Sequence, residues 1–371
     1  MPDTSRKLVE DRVSISRDVP SRAELDPIAE NDIAEVARFV AVQSGKTRET
    51  TESNLRWFLL ENPACHPKHP LGFALRSAGL LVGCILCSPQ AFLSESKKVV
   101  LMGSSSFYVD DLHRGHGGRI FLQYCRLGMQ WPLFGTSANA QAAALWKAAG
   151  AKPIPGSDGE LFGVLRWPPV AEEFAHRKNP NRLLSHLAGS SISGLIGLVR
   201  PLKLECNDPD SLQLLTSAEQ ANDLSIHDSS ARLTAMRDLP YIRWRYFSGR
   251  DATVAVFAFR SRRPDREILV TVNQRTRGYR GQINTLNVLD VYPEVSPDDW
   301  LQPVGALIAR YRNIVDAIVL RNQDAERQKL FRARGFQQRT FDAPNGWYLD
   351  KAKLLPTHDW YPVPADGDGL I

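Results

Sequence analysis

Two stretches of this chain are written twice, in the same order and at nearly the same separation. LRW at 55–57 returns as IRW at 242–244, and ALWKAAGA at 144–151 returns as KLFRARGF at 329–336. The second match holds one offset, 185, through Leu145 to Leu330, Trp146 to Phe331 and Gly150 to Gly335. Asn139, ahead of the first helix, pairs with Asn322 at an offset of 183. From Trp57 to Gly150 is 93 residues; from Trp244 to Gly335 is 91. Two landmarks kept in register point to duplication of a whole domain. A length of 371 residues, more than one core usually serves, agrees with that. The expected organisation is a disordered tail over 1–24, a domain over 25–168, a linker over 169–204, a second domain over 205–355 and a C-terminal tail over 356–371.

Within the first copy, IAENDIAEVARFVAV (28–42) has helical apolar spacing, with Asn31 or Asp32 as N-cap, and TESNLRWFLLEN fits a second helix. LGFALRS and LLVGCILCS, joined by Ala-Gly, read as a hairpin, and VVLMGSSSFYV (99–109) as a longer strand. A helix over RIFLQYCRLG, a short strand in PLFGTSAN, a helix over AQAAALWKAAG stopped by Gly150, and two short strands between Lys152 and Trp167 complete the set. This mixed order predicts an α/β chain, an α+β sandwich in which helices cover a central sheet. NRLLSHLAGSSISGLIGLV reads as a packed interdomain linker, and ATVAVFAF, REILVTVN and INTLNVLDVY as strands of the second copy.

Between strand and helix of the first copy stands VDDLHRGHGGRIFL. Backbone without a Cβ can approach a diphosphate closely, and the N–H groups opening a helix carry partial positive charge. Gly115, Gly117 and Gly118 therefore sit in a context suited to pyrophosphate, and Arg114 and Arg119 add charge-assisted contacts. No Gly-Lys-Ser/Thr follows, so this is not a triphosphate loop; nor is the order that of a dinucleotide GxGxxG.

These residues resemble the GNAT superfamily of N-acetyltransferases. The likeness lies in strand, Arg-x-x-Gly-type loop, helix, short strand, Asn139 and ALWKAAGA. It covers roughly 25–166 and, more weakly, 210–350 as a degenerate copy. It implies two tandem acyl-CoA N-acyltransferase-like domains, each a mixed central sheet flanked by helices. It also implies acetyl-CoA or another acyl-CoA as co-substrate, with the pantetheine in a gap between two central strands. Backbone of Phe107, Tyr108 and Val109 would pair with the pantetheine arm. The loop from Arg114 through Gly115, His116, Gly117 and Gly118 to Arg119 would hold the pyrophosphate. Trp146 stands where the family commonly has a tyrosine that protonates the leaving thiolate, and the second copy has Phe331 there. NVLDVYPEVSPDDWLQPV lacks the glycine loop, so the second domain is expected to bind CoA poorly or not at all.

Composition narrows the classes. Hydrophobic content of 43% and charged content of 23% are those of a globular protein without a membrane span. The N-terminal residues lack an apolar signal core, so the expected location is cytoplasmic. A net charge of +5 suits an anionic ligand and falls short of a nucleic-acid surface. Cys84 and Cys87 form the one CxxC; without a second it completes no zinc site, and no metal is expected. The arginine-rich stretch 260–281 is either the solvated face of a hairpin or a basic wall over an anionic substrate.

The enzyme reading is acyl transfer to the amine of a small-molecule acceptor, which must lose a proton. Asp110, Asp111 and Tyr108 are the candidate catalytic residues; His113 and His116 flank the loop. Trp57 is a core anchor or an acceptor-side wall, and Arg56, Arg243 and above all Arg245 are candidates for an anionic group of the acceptor. The alternatives are a non-catalytic tandem binding or sensor protein, and an aminoacyl-transferase-like peptidoglycan enzyme. Acceptor identity and acyl length are not legible.

Overall fold

The structure is a computed structural model. It describes residues 23–94, 97–178, 202–204, 209–222, 232–260, 267–278, 281–293, 296–297, 300–355 and 359–361. Residues 1–22 of the expected tail, the apolar run NRLLSHLAGSSISGLIGLV and Cys206 lie outside these ranges.

The first half runs β1 (Glu24–Pro27), α1 (Ile33–Ser44), α2 (Arg48–Leu59), β2 (Gly72–Ser77), β3 (Leu80–Ser94), β4 (Lys97–Val109), α3 (Gly117–Arg126), β5 (Leu133–Gly135), α4 (Ala140–Ala148), β6 (Lys152–Pro153), β7 (Gly159–Val164) and α5 (Trp167–Lys178). The second half follows with β8 (Leu212–Leu215), α6 (Ala218–Asn222), β9 (Thr234–Ala235), α7 (Leu239–Tyr246), β10 (Val254–Arg260), β11 (Glu267–Arg277) and β12 (Ile283–Tyr292). It closes with α8 (Leu301–Tyr311), β13 (Ala317–Arg321), α9 (Ala325–Ala333), β14 (Gln337–Thr340) and β15 (Trp347–Leu349).

Local chemistry accounts for the boundaries. The β2–β3 hairpin turns on Ala78 and Gly79, both with left-handed backbone (φ 50° and 79°), as a two-residue turn that matches strand twist requires. Asn139 caps α4 by accepting from Ala142 N at 2.9 Å, and Asp324 caps α9 by accepting from Arg327 N at the same distance. The true counterpart of Asn139 is thus Asp324, at the offset of 185 that the helices keep, and not Asn322. Asp32 is the residue before α1, but its carboxylate accepts from Ala29 N and pairs with Arg76 instead of capping the helix.

Two mixed sheets result. The first has the order β1-β2-β3-β4-β5-β15-β6, with β9 added beside β3; the second has β14-β7-β13-β12-β11-β10-β8. Each half gives its last strand away. β7 leaves the first half to lie antiparallel between β13 and β14, while β15 returns from the second half to lie antiparallel beside β5. The boundary expected at residue 168 is therefore crossed by hydrogen-bonded strands in both directions. Apolar clusters fill both faces of the first sheet. Ile120, Phe121, Tyr124 and Trp146 pack under α3 and α4, and Val36, Val40, Leu55 and Trp57 under α1 and α2.

Cys84 and Cys87 are buried with free thiols, and burial pushes the Cys84 thiol up to about 12. Among the described residues no group of three or more His, Cys, Asp or Glu side chains could hold a metal ion. No described helix is long and apolar enough to cross a membrane. Among the described residues of the arginine-rich stretch 260–281, each arginine is in an ion pair: Arg260 meets Glu267, Arg275 meets Asp251, and Arg277 meets the buried Glu160. That pairing leaves no basic wall facing a substrate among these three.

Candidate active site

The site begins where two parallel strands part. β4 and β5 pair only through Met102–Leu133 and Gly103–Phe134. β5 ends at Gly135 and its chain turns to the Asn139 cap, whereas β4 runs on to Val109. On the other edge β4 stays paired with β3, through an irregularity that sets Ser106 and Phe107 opposite Ile85. Ser106 takes a positive φ of 47° there, so the strand bends away from β5. The edge of Ser104–Val109 that would have met β5 faces a cleft of about 670 Å³.

Side chains alternate across this edge. Phe107 packs toward α3, its ring 6.1 Å from that of Phe121, while Tyr108 packs with the cluster beneath α1 and α2. Phe107, Tyr108, Val109, Asp111, Arg114, Gly117, Gly118, Asn139 and Trp146 all line the cleft. Asp110, Gly115, His116 and Arg119 do not.

The glycine loop is two turns of 3-10 helix, Asp111–His116, running straight into α3. Asp110 is its cap: one carboxylate oxygen accepts from Leu112 N at 3.0 Å and lies 3.7 Å from His113 Nδ1. Asp111 is exposed and pairs with Arg114 at 2.7 Å. Arg119 is a correction to the sequence reading. One helical turn carries it past the mouth, and its guanidinium donates to the Ala23 carbonyl at 2.6 Å. Asn139 lines the cleft, but its side-chain oxygen is occupied by the helix cap.

The glycines themselves test whether the loop suits a diphosphate. None of Gly115, Gly117 and Gly118 has a positive φ, so backbone conformation does not call for glycine. A Cβ on Gly115 or Gly118 would meet nothing within 4 Å, and one on Gly117 would make only ordinary contacts with Phe107 and Val109 at 3.8 Å. The protein's own packing thus leaves room for a Cβ at each of these positions. The bare surface they present at the start of α3 fits a ligand that must come close to backbone N–H groups.

Gly135, opposite them, is different. A Cβ there would lie 2.8 Å from Ser104 Oγ and 3.2 Å from the Trp146 ring. Trp146 is buried, packed edge-on against Phe121 at 5.2 Å and Tyr124 at 5.8 Å. It is a packing residue that closes the back of the cleft. A second, smaller cavity touches the first at Ser104 and Gly135 and is bounded by Phe58, Asn62, Gln90, Tyr241, Trp244 and Arg245. Arg245 is buried over the rings of Trp57 and Trp244, at 5.8 and 5.6 Å. Trp57 lies in the core beside this cavity. Arg56 and Arg243 stand apart from it, in pairs with Glu52 and Glu219. Sequence reading missed Ser104 and Gly135, because GSSS inside an apolar strand carries no signal that the neighbouring strand departs there.

In the second half the corresponding space is filled. The Tyr361 hydroxyl donates to the Val291 carbonyl at 2.6 Å, on the strand that corresponds to β4. Buried Arg327 lies between the rings of Tyr361 and Trp300, at 4.7 and 5.1 Å.

No protein-family model and no curated protein matches this sequence. Solved structures do match. A conserved protein of unknown function from Enterococcus faecalis V583, a probable N-acyltransferase, aligns with a TM-score of 0.54 at 9% identity, over 88% of this chain and 72% of that one. A GCN5-related N-acetyltransferase from Anabaena variabilis ATCC 29413 aligns at 0.51 and 13% identity, over 88% and 72%. Saccharomyces cerevisiae N-myristoyltransferase with bound myristoyl-CoA aligns at 0.51 and 11% identity, over 91% and 80%. At such identities the likeness is one of fold. The chain is a mixed α/β protein whose two helix-flanked sheets have the fold of GNAT-like N-acyltransferases.

Proposed function

We propose that this protein is an acyl-CoA-dependent N-acyltransferase that moves an acetyl or other acyl group to the amine of a small-molecule acceptor. The observation that carries the reading is the course of the cleft, from bare glycines at the start of α3 along the unpaired edge of β4 to the apex at Gly135. Gly117 and Gly118, with Arg114, would hold the diphosphate, and backbone of Phe107 and Val109 would pair with the pantetheine arm. Asp110 caps the loop and the Arg119 guanidinium faces Ala23, so neither side chain would reach the donor. Acyl-CoA, when bound, supplies an activated thioester. The cleft supplies orientation and a wall against water on the α3 and α4 side. Asp111 and Tyr108 line the cleft toward its glycine-loop end, Asp111 in a pair with Arg114, so the acceptor's proton at the apex would pass to water. The cavity that meets the cleft at its apex, about 20 Å³, has room for a water and not for an acceptor, so buried Arg245 beside it and Trp57 in the core serve packing there. The proposed location is cytoplasmic.

A binding or sensor protein is the second reading. Trp146 favours it, since its indole offers an N–H but no exchangeable hydroxyl. One experiment separates the two: addition of acetyl-CoA and a panel of amines, with free thiol followed in time. The transferase reading requires amine-dependent thiol release. Tight acetyl-CoA binding without release under any amine supports the sensor.

A further inference from the structure

The last residue of β4 that pairs with β5 is Gly103, and the next is Ser104. Its hydroxyl stands at the apex of the parting strands, over Gly135, where any side chain would collide with it. Ser104 also borders both the large cleft and the smaller cavity beneath Trp244 and Arg245. A donor lying along Ser104–Val109 would span about 17 Å of strand at ~3.3 Å per residue, which is the order of an extended pantetheine arm. With its diphosphate at Gly117 and Gly118, its reactive end falls at Ser104.

The other hydroxyls near the apex are committed. The Tyr124 phenol is buried and donates to the Met102 carbonyl at 2.7 Å, with the Phe134 carbonyl at 3.2 Å. Ser105 is buried beside Ser106, their oxygens 3.4 Å apart at the bulge. Ser104 hydrogen-bonds the Tyr124 phenol, which already donates to Met102, and it also lines the cleft, so its hydroxyl reaches a ligand there by turning from that phenol.

We propose that Ser104 is a catalytic residue that donates a hydrogen bond to the sulfur of the acyl donor as the thioester opens. This rests on the acyl-CoA reading above. As the amine nitrogen bonds to the acyl carbon, the carbon–sulfur bond breaks and sulfur keeps its electron pair. The amine's surplus proton passes to water in the open cleft. Ser104 keeps its own proton and shares it with the departing sulfur, which later takes a proton from solvent. A hydrogen bond to a charged partner is worth about tenfold to a hundredfold in affinity.

The test is calorimetric titration of the full chain with free CoA, and separately with acetyl-CoA, from about pH 7 to 9.5, across the ordinary thiol range. Wild type should bind CoA at least tenfold more tightly at the alkaline end relative to acetyl-CoA, because the thiolate gains the Ser104 bond. Ser104→Ala should lose that rise and keep its acetyl-CoA affinity, which also shows that the variant folds. Identical pH dependence in the two proteins would overturn the role of Ser104 and leave the donor reading standing. Loss of acetyl-CoA affinity in the variant would equally overturn it, by making Ser104 a packing residue. Failure of wild type to bind either ligand would sink the donor reading itself.

Discussion

The indole N–H of Trp57 donates to the Trp244 carbonyl at 3.1 Å, and the indole N–H of Trp244 donates back to the Trp57 carbonyl at 3.0 Å. The two rings stack 5.0 Å apart. Residues of the matching motifs LRW and IRW thus meet across the centre of the molecule and treat each other alike. A duplicated chain packed about a local two-fold produces this: the same position in each copy lies near the axis and finds its own counterpart. The exchange of β7 and β15 follows the same symmetry.

Replacing Trp244 by Phe keeps the stack and removes one donor. It leaves the Trp57 carbonyl, in a buried setting, without its partner. We expect a loss of about 1–2 kcal/mol in chemical denaturation. Because the bonds are reciprocal, Trp57→Phe should cost a similar amount, and the double variant should deviate from additivity.

Asp290 and Arg237 are both buried, with Nε to Oδ2 at 2.6 Å and Nη2 to Oδ1 at 3.3 Å. Tyr246 donates to the same carboxylate. Removing one charge strands the other in a medium that cannot solvate it. Arg237→Met alone is expected to cost on the order of 3–5 kcal/mol, and Arg237→Met with Asp290→Leu distinctly less. Thermal unfolding of the three proteins checks the order.

Glu160 is buried, and burial alone would raise its pKa, but Arg277 and Arg321 outweigh that and hold the carboxyl below its ordinary 4.5. A carboxyl lowered in the folded state binds fewer protons there than in the unfolded chain. Its contribution is fully present above the unfolded value and fades as pH falls through the folded one. Wild type should therefore lose stability below about pH 4.5 more steeply than Glu160→Gln, whose stability is lower at neutral pH. Urea midpoints measured from pH 7 down to 3 would refute this if the two proteins fell in parallel.

Much of the first half could be read from local signals. The Ala78–Gly79 turn, the caps at Asn139 and Gly150, and the glycine loop each act over a few residues, so their chemistry is written where it operates. The strand exchange could not be read. GELFGV and WYL are short apolar runs that suit any buried strand position, and nothing in them names a partner more than 150 residues away. Arg119 was misplaced for a geometric reason: membership of the loop in sequence does not fix which way a helical side chain turns. The repeat located Trp57 and Trp244 correctly as equivalents, yet their contact needed the symmetry axis that only packing supplies. Ser104 was hidden because the strand it sits on is ordinary until its neighbour leaves.

The central claim is that bare backbone at the start of α3 holds the donor, and that the chain has one such place. Gly118 tests it most cleanly, since a Cβ there would meet nothing in the protein within 4 Å. Acetyl-CoA titrated into wild type should bind with one site per chain, because Tyr361 and Arg327 fill the second copy. In Gly118→Val the melting temperature should hold within a few degrees, as a half-buried first-turn position whose Cβ meets nothing within 4 Å has little packing to upset, while acetyl-CoA affinity falls at least tenfold. Equal affinity in the two proteins, or two equivalent sites in wild type, would contradict the claim.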